Sequence, residues 1–322
     1  MPGRRILITG VSNFWGSRLA ARLAGDPAVD RVVGLDTRPP GRLLRERITF
    51  IEADLRTPEL GAHLRAAAVD TLVHNDISQF PEPGRAARDL HEINVVGTLR
   101  LLAAAAALPG LRTVVVRSAA AIYGSEPAAP SFITEDQARS FPLRTPFQRD
   151  VGELERLVEG FAHRAPEVTC TVLRLQPVVG PTLDTPITRM LRVPVVPTVL
   201  GFDPRIQLLD EDDSIAALQR AVAHPVDGAV NVAAGEPISL SRALKRTRRR
   251  SVPIAHPLYG QVAGALVRAG GLPPLSEDIV RYLRYGRTVD TTRMSQELGF
   301  TPLRTTLAAL ERAAGITPGV AA

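Results

Sequence analysis

Lysine is almost absent from this chain. Lys245 is the single lysine among 322 residues, against 38 arginines, so chemistry that needs an ammonium group has one candidate. Cysteine is as scarce: Cys170 stands alone, which excludes an intramolecular disulfide, argues against a cysteine-based metal site and fits a reducing compartment. No metal is expected. No apolar run reaches the roughly 18 residues of a membrane span, and residues 1–5 run into a short strand without the apolar core of a signal peptide, so the expected location is the cytoplasm and no membrane partner is expected. The apolar fraction of 45% and charged fraction of 22% lie near the averages of globular proteins, which argues against disorder.

The formal charge is +6, but its densest basic run, residues 245–250, has no interleaved aromatic side chains. It reads as a solvated helix face, and no nucleic-acid partner is expected.

What is present is an alternation. Short apolar runs at 6–9, 32–35, 48–51, 71–74, 113–116 and 168–175 read as buried strands, and helix-length segments at 17–24, 90–108 and 148–162 separate them. Such alternation builds a parallel sheet covered on both faces, so the fold class is α/β, a Rossmann-like doubly wound sheet. After residue 180 prolines at 181, 186, 194, 197 and 204 break the rhythm. The expected division is a dinucleotide-binding domain over 1–180, with returns to it near 206–233 and 286–292, and a smaller C-terminal substrate lobe from 181–205 and 234–322.

Directly after the first strand comes Gly10-Val11-Ser12-Asn13-Phe14-Trp15-Gly16. Gly10 allows a tight turn and Gly16 a close helix approach, and the N-terminus of a helix starting near Ser17 offers N–H groups to a pyrophosphate. Asn13 replaces the usual middle glycine and tolerates left-handed backbone. The second strand ends in Asp36, whose carboxylate can accept from a ribose diol and repels a 2′-phosphate, favouring NAD. Arg38 beside it leaves NADP open.

On these residues the chain resembles the extended short-chain dehydrogenases grouped with NAD-dependent epimerases and dehydratases, nearly end to end. Ala53-Asp54-Leu55 looks like the adenine-contacting end of the third strand. Asn94-Val95-Val96-Gly97-Thr98 matches a helix motif, and Ile122-Tyr123-Gly124 the fifth-strand turn. Leu173-Arg174, Gly180-Pro181, Asp213, Asn231-Val232-Ala233, Asp290 and Glu297-Leu298-Gly299-Phe300 then follow in order. The resemblance implies cofactor contacts from Asn75 and Asp76 at the fourth-strand end, and backbone contacts to the nicotinamide amide from Pro177, Val178 and Val179. Asn75 and Asp76 depart from the small apolar residues common there. Asp76 is weighed against a turn-stabilising role, and His74 reads as structural.

In the family a serine or threonine four residues before the turn tyrosine acts with a Tyr-x-x-x-Lys pair on the next long helix. A spacing of four puts that pair on one helix face, where the ammonium lowers the phenol pKa. Here the corresponding residues are Ala119, Phe147 and Val151, and no Tyr-x-x-x-Lys occurs anywhere in the chain. Tyr259, Tyr282 and Tyr285 fall in the expected substrate lobe. Weak replacements are Ser118 and Asp76, with Arg149 and Asp150 as further polar neighbours; strand alternation turns Ser118 away from the direction of Ala119.

Family members that act on sugar nucleotides usually clamp the diphosphate with an arginine where this chain has Ile206, with Arg205 one residue off. Apolar stretches at 195–200 and 262–267 suit either an apolar ligand or ordinary core. Similarity to members that reduce aromatic polyketides of the angucyclinone type without the usual triad implies an NAD(P)H-dependent ketoreductase whose proton comes from substrate or water. A non-catalytic NAD(P)-binding regulator and a sugar-nucleotide epimerase or dehydratase are the alternatives. A homodimer is left open.

Overall fold

The computed structural model describes residues 3–79, 89–192, 195–255, 258–259, 261–262, 264 and 276–316. Its centre is a seven-stranded sheet: β1 (Arg4–Thr9), β2 (Val29–Asp36), β3 (Thr49–Glu52), β4 (Thr71–His74), β5 (Thr113–Ala119), β6 (Thr169–Leu175) and β7 (Gly228–Val232), in the order β7-β6-β5-β4-β1-β2-β3, every pairing parallel. The six strands read from the sequence are all in it.

Strand alternation sorts the core into two layers. Ile6, Ile8, Val73, Val115 and Leu173 face α1 (Phe14–Leu23) and the helix Glu211–Ala223. Leu7, Leu72, Val114, Val116 and Val172 face α2 (Leu60–Ala67), α3 (Thr98–Ala105) and α4 (Pro146–Arg164). Because the chain leaves β1 toward β2 and β3 and then returns to place β4 on the other side of β1, a crevice opens above the carboxyl ends of β1 and β4.

A third core, built on Val179, Ile187, Val196, Leu208, Ile238 and Tyr282, belongs to the irregular C-terminal part. There the strand Val195–Val199 pairs with Arg250–Ile254, and the apolar side chains of Val196 and Val199 are buried in packing. Val196 and Val199 are therefore ordinary core, Leu200 is exposed, and none of 195–200 lines the main cavity; most of 262–267 lies outside the described residues.

Two local expectations are corrected. α1 begins at Phe14, not near Ser17, because Asn13 is extended (φ −79°, ψ 172°) and caps the helix with its side chain instead of adopting left-handed backbone. The basic run 245–250 is not one helix face: the helix Leu240–Arg246 stops, Arg248 turns with φ 56°, and a strand starts at Arg250. Among the described residues, no helix is long and apolar enough to cross a membrane.

Candidate active site

The Gly-rich turn is shaped by what it excludes. Gly10 has φ +63°, and a Cβ on Gly16 would overlap the carbonyl oxygen of Gly10, so neither position admits another residue without moving the turn. Asn13 Oδ1 accepts the Gly16 N–H at 2.8 Å and Asn75 Nδ2 at 3.0 Å, while Asn13 Nδ2 donates to the Asn75 carbonyl at 3.2 Å. The first residues of α1 otherwise have no intrahelical partners for their N–H groups and present them at the crevice.

At the end of β2, Asp36 accepts the N–H groups of Ser12 at 3.0 Å and Arg38 at 3.3 Å, and Ser12 Oγ donates to the Arg38 carbonyl at 2.6 Å. A carboxylate has about four lone-pair sites, so Asp36 keeps capacity for a diol. Asp54 is held by the side chain and N–H of Arg56, and Leu55 is buried in the core beneath α2 and α3.

His74 is structural, as expected. Thr9 Oγ1 accepts the N–H groups of Asn75 and Asp76 and so donates to His74 Nδ1 at 2.8 Å; Nε2–H then donates to Thr98 Oγ1 at 2.8 Å, whose own proton goes to the Asn94 carbonyl. Burial, reinforced by the charge of Arg117, pushes the imidazole down to about 3. Asn75 is fully buried, and Asp76 packs its backbone against Gly10.

At the end of β5, Ser118 Oγ donates to Glu155 Oε1 on α4 at 2.6 Å. Arg174 grips the same carboxylate through two nitrogens and donates to the Tyr123 hydroxyl at 2.8 Å, which donates to Asn231 Oδ1 at 2.6 Å. Burial pushes the Tyr123 phenol up to about 12. Ser118 is also part of the lining of the main cavity, with its hydroxyl committed to Glu155.

α4 starts on a Thr145 cap, with Pro146 in its first turn and Gln148 completing a capping box. Phe147 faces a cavity of about 420 Å³ together with Ala119. Val151 does not: it is 1% exposed, packed with Ile122, Tyr123, Ile133 and Val289. Asp150 accepts from Asn94 Nδ2 at 3.1 Å and binds His91 Nδ1 at 2.8 Å, and Arg149 donates to the Leu143 and Arg144 carbonyls, so neither is aimed at the cavity.

The cavity is lined by Asn13, Phe14 and Trp15 of the turn and α1, by Ala119, Phe147, Pro177 and Val178, and by residues 182–187. The Val179 side chain is fully buried in the third core, and its backbone pairs with Asp210. The wall at 182–187 is held by Glu211, which accepts the N–H groups of Thr182 and Leu183, and by Arg18, which donates to Thr182 Oγ1 at 2.8 Å.

Four polar residues that line the cavity, Arg117, Gln176, Asp278 and Arg287, carried no motif. Gln148 Nε2 donates to Asp278 Oδ1 at 2.7 Å, Gln176 Nε2 to the Arg287 carbonyl at 3.2 Å, and Arg287 Nη1 to the Gly124 carbonyl at 3.1 Å. Asp278, Gln176 and Arg287 are buried at the cavity edge, and with them stands Arg117. A charged residue directly after the apolar run 114–116, in a strand the sequence reads as buried, was the available signal for Arg117. Arg205 and Ile206 are elsewhere: Arg205 stacks over Phe132 and Ile206 is in the lobe core. Among the described residues, no three His, Cys, Asp or Glu side chains cluster to hold a metal.

A parallel doubly wound sheet with a Gly-rich turn at its switch point and an acidic residue ending β2 defines a dinucleotide-binding protein. The profile of the NAD dependent epimerase/dehydratase family matches residues 6–233, and the chain belongs to that family, with the NAD(P) cofactor the family uses. An uncharacterised Mycobacterium tuberculosis protein is 38% identical over 97% of this chain and 85% of its own length. A UDP-glucose 4-epimerase of Mycolicibacterium smegmatis is 34% identical over 39% of this chain and 42% of its own length. The structure of MoeE5 in complex with UDP-glucuronic acid and NAD superposes with a TM-score of 0.71 at 22% identity, over 96% of this chain and 97% of that one.

Proposed function

We propose that the chain binds NAD(P)(H) across the turn at residues 10–16 and serves as a hydride-transfer enzyme for a carbonyl compound with a largely apolar ring body, the proton coming from the substrate or water. The observation that carries this is the cavity wall: the side chains at the catalytic positions implied by the resemblance are Ala119 and Phe147, with Val151 sealed behind them.

The turn fits the cofactor, since Gly16 lets α1 start in direct contact with the Gly10 carbonyl, where a Cβ could not stand, and Asp36 keeps lone pairs at the rim. Asp36 favours NAD over NADP, because a 2′-phosphate would meet its negative charge. A bound reduced nicotinamide supplies the hydride. Phe14, Trp15, Phe147 and Leu183 exclude water and position an apolar ring. Residues 181–205 and 234–322 act as the substrate lobe, contributing the 182–187 wall, Asp278 and Ile279. An aromatic polyketide ketone with a neighbouring phenol has the required chemistry, because an internal hydrogen bond can protonate the alkoxide that hydride addition creates.

The names of the relatives support a second reading, an epimerase or dehydratase of a sugar nucleotide. The experiment that separates them is incubation with NADH or NADPH and two panels, polycyclic hydroxyketones and UDP- or dTDP-sugars. Oxidation of the reduced cofactor with the ketones alone supports the reductase. Isomerised or dehydrated sugar nucleotide supports the second reading, and binding of cofactor with no turnover of either panel marks a regulator.

A further inference from the structure

Arg117 stands out among the charged residues of this molecule. It is the fifth residue of β5, preceded by fully buried Val115 and Val116, and its own side chain is buried, yet it lines the cavity. Alternation turns it to the α1 side with Val115, opposite to Ser118. Its guanidinium carbon lies 4.3 Å from the centre of the Trp15 ring, in the first turn of α1. Nε donates to Asn75 Oδ1 at 2.7 Å, and Nη2 donates to the Asn75 carbonyl at 3.2 Å and to the Ile77 carbonyl. Asn75 donates in turn to Asn13, the cap of α1. One side chain therefore separates the guanidinium from the helix terminus.

Burying a cation costs several kcal/mol even after relaxation. Neutral carbonyls, an indole face and the charge of Asp76 offset part of this cost, and burial still pulls the guanidinium down to about 10, so it stays charged at neutral pH. A cation kept there at such cost, on the wall shared with the α1 N-terminus, meets the requirement of an anion. The turn also has a reason to need it: Asn13 already occupies the Gly16 N–H, leaving one fewer backbone donor for a phosphate than an uncapped turn would.

We propose that Arg117 is a second anchor for the dinucleotide pyrophosphate, holding it from the β5 side against the N-terminus of α1. The planar fork of a guanidinium matches phosphate oxygens in a way an ammonium does not. This deepens, and rests on, the reading of the crevice as a dinucleotide site.

The test is calorimetric titration of NADH and of ADP-ribose, which keeps the pyrophosphate and lacks nicotinamide, into the full-length wild type, Arg117→Met and Arg117→Lys. Arg117→Met should weaken both ligands about 10- to 100-fold, the loss expected when a charge-assisted hydrogen bond is removed, with Arg117→Lys between. Equal affinity in wild type and Arg117→Met overturns the proposal alone. Weakening of NADH without ADP-ribose also overturns it, by placing Arg117 at the nicotinamide. A wild type that binds neither NADH nor NADPH overturns the cofactor reading and this proposal together. Should the variants not fold, the wild type decides: Trp15 is the sole tryptophan, so ADP-ribose and not adenosine should change the protein's indole emission, and an unchanged emission overturns the proposal.

Discussion

The hydroxyl of Ser118 and the carboxylate of Glu155 are 2.6 Å apart, joining the end of β5 to the middle of α4 and committing the hydroxyl although Ser118 borders the cavity. With Arg174 on the same carboxylate, this is a closed buried network. Ser118 therefore serves stability. Ser118→Ala should lower unfolding free energy by about 1.5–3 kcal/mol, the range for a hydrogen bond to a charged group, with turnover per folded molecule retained. Urea titration beside steady-state rates checks this; a variant of normal stability and abolished turnover would make Ser118 the acid.

Asp36 should decide the cofactor. Its carboxylate is pinned by Ser12 and Arg38 N–H groups at the rim, where a 2′-phosphate would be repelled. Asp36→Ala should weaken NADH and strengthen NADPH relative to it, which paired binding titrations will show. An unchanged preference would place the ribose elsewhere. Gly16→Val, by contrast, should abolish binding of both, since its side chain would strike the Gly10 carbonyl.

His74 gives the fold a pH dependence of known sign. Its folded pKa is lowered from 6.5 to about 3, chiefly by burial, so it is neutral in the fold. Above the unfolded value both states are neutral and its contribution is constant. As pH falls below 6.5 the unfolded chain takes up the proton first, and stability is lost progressively until about 3 is reached. The slope from this residue approaches about 1.4 kcal/mol per pH unit. Denaturant titrations over that window should be shallower for His74→Gln; an identical slope would show that His74 is protonated in the fold.

Phe147 is half-buried on the cavity wall, at the start of α4. Phe147→Ala should raise KM for the carbonyl substrate about tenfold or more, consistent with the roughly 1.5–3 kcal/mol of a buried phenyl, with little change in NADH affinity. A large loss of cofactor binding would remove Phe147 from the substrate side.

Six strands were legible because each is an apolar run of strand length bounded by turns, while their order in the sheet came from the structure. The turn was legible because Gly10 and Gly16 are demanded by space alone. What the one-dimensional pattern could not carry was direction. Asn13, Asn75 and Arg117 are far apart in sequence and bonded into one chain, and spacing contains no such information. Val179 differs from Val178 only by the alternation of a two-residue strand, which sends one to the cavity and the other to the core. Asp150 and Ser118 looked available because each is polar and near; their partners His91, Asn94 and Glu155 come from other elements.

The central claim is hydride transfer in a crevice that offers no side-chain acid at Ala119, Phe147 or Val151. It is tested most directly with cofactor deuterated at the nicotinamide C4 and a polycyclic ketone carrying an adjacent phenol, alongside its methyl ether, the product analysed by mass spectrometry. The account predicts deuterium on the former carbonyl carbon of the phenol-bearing substrate and loss of turnover, with binding kept, for the ether. Equal label in both products, or label in neither, would contradict it.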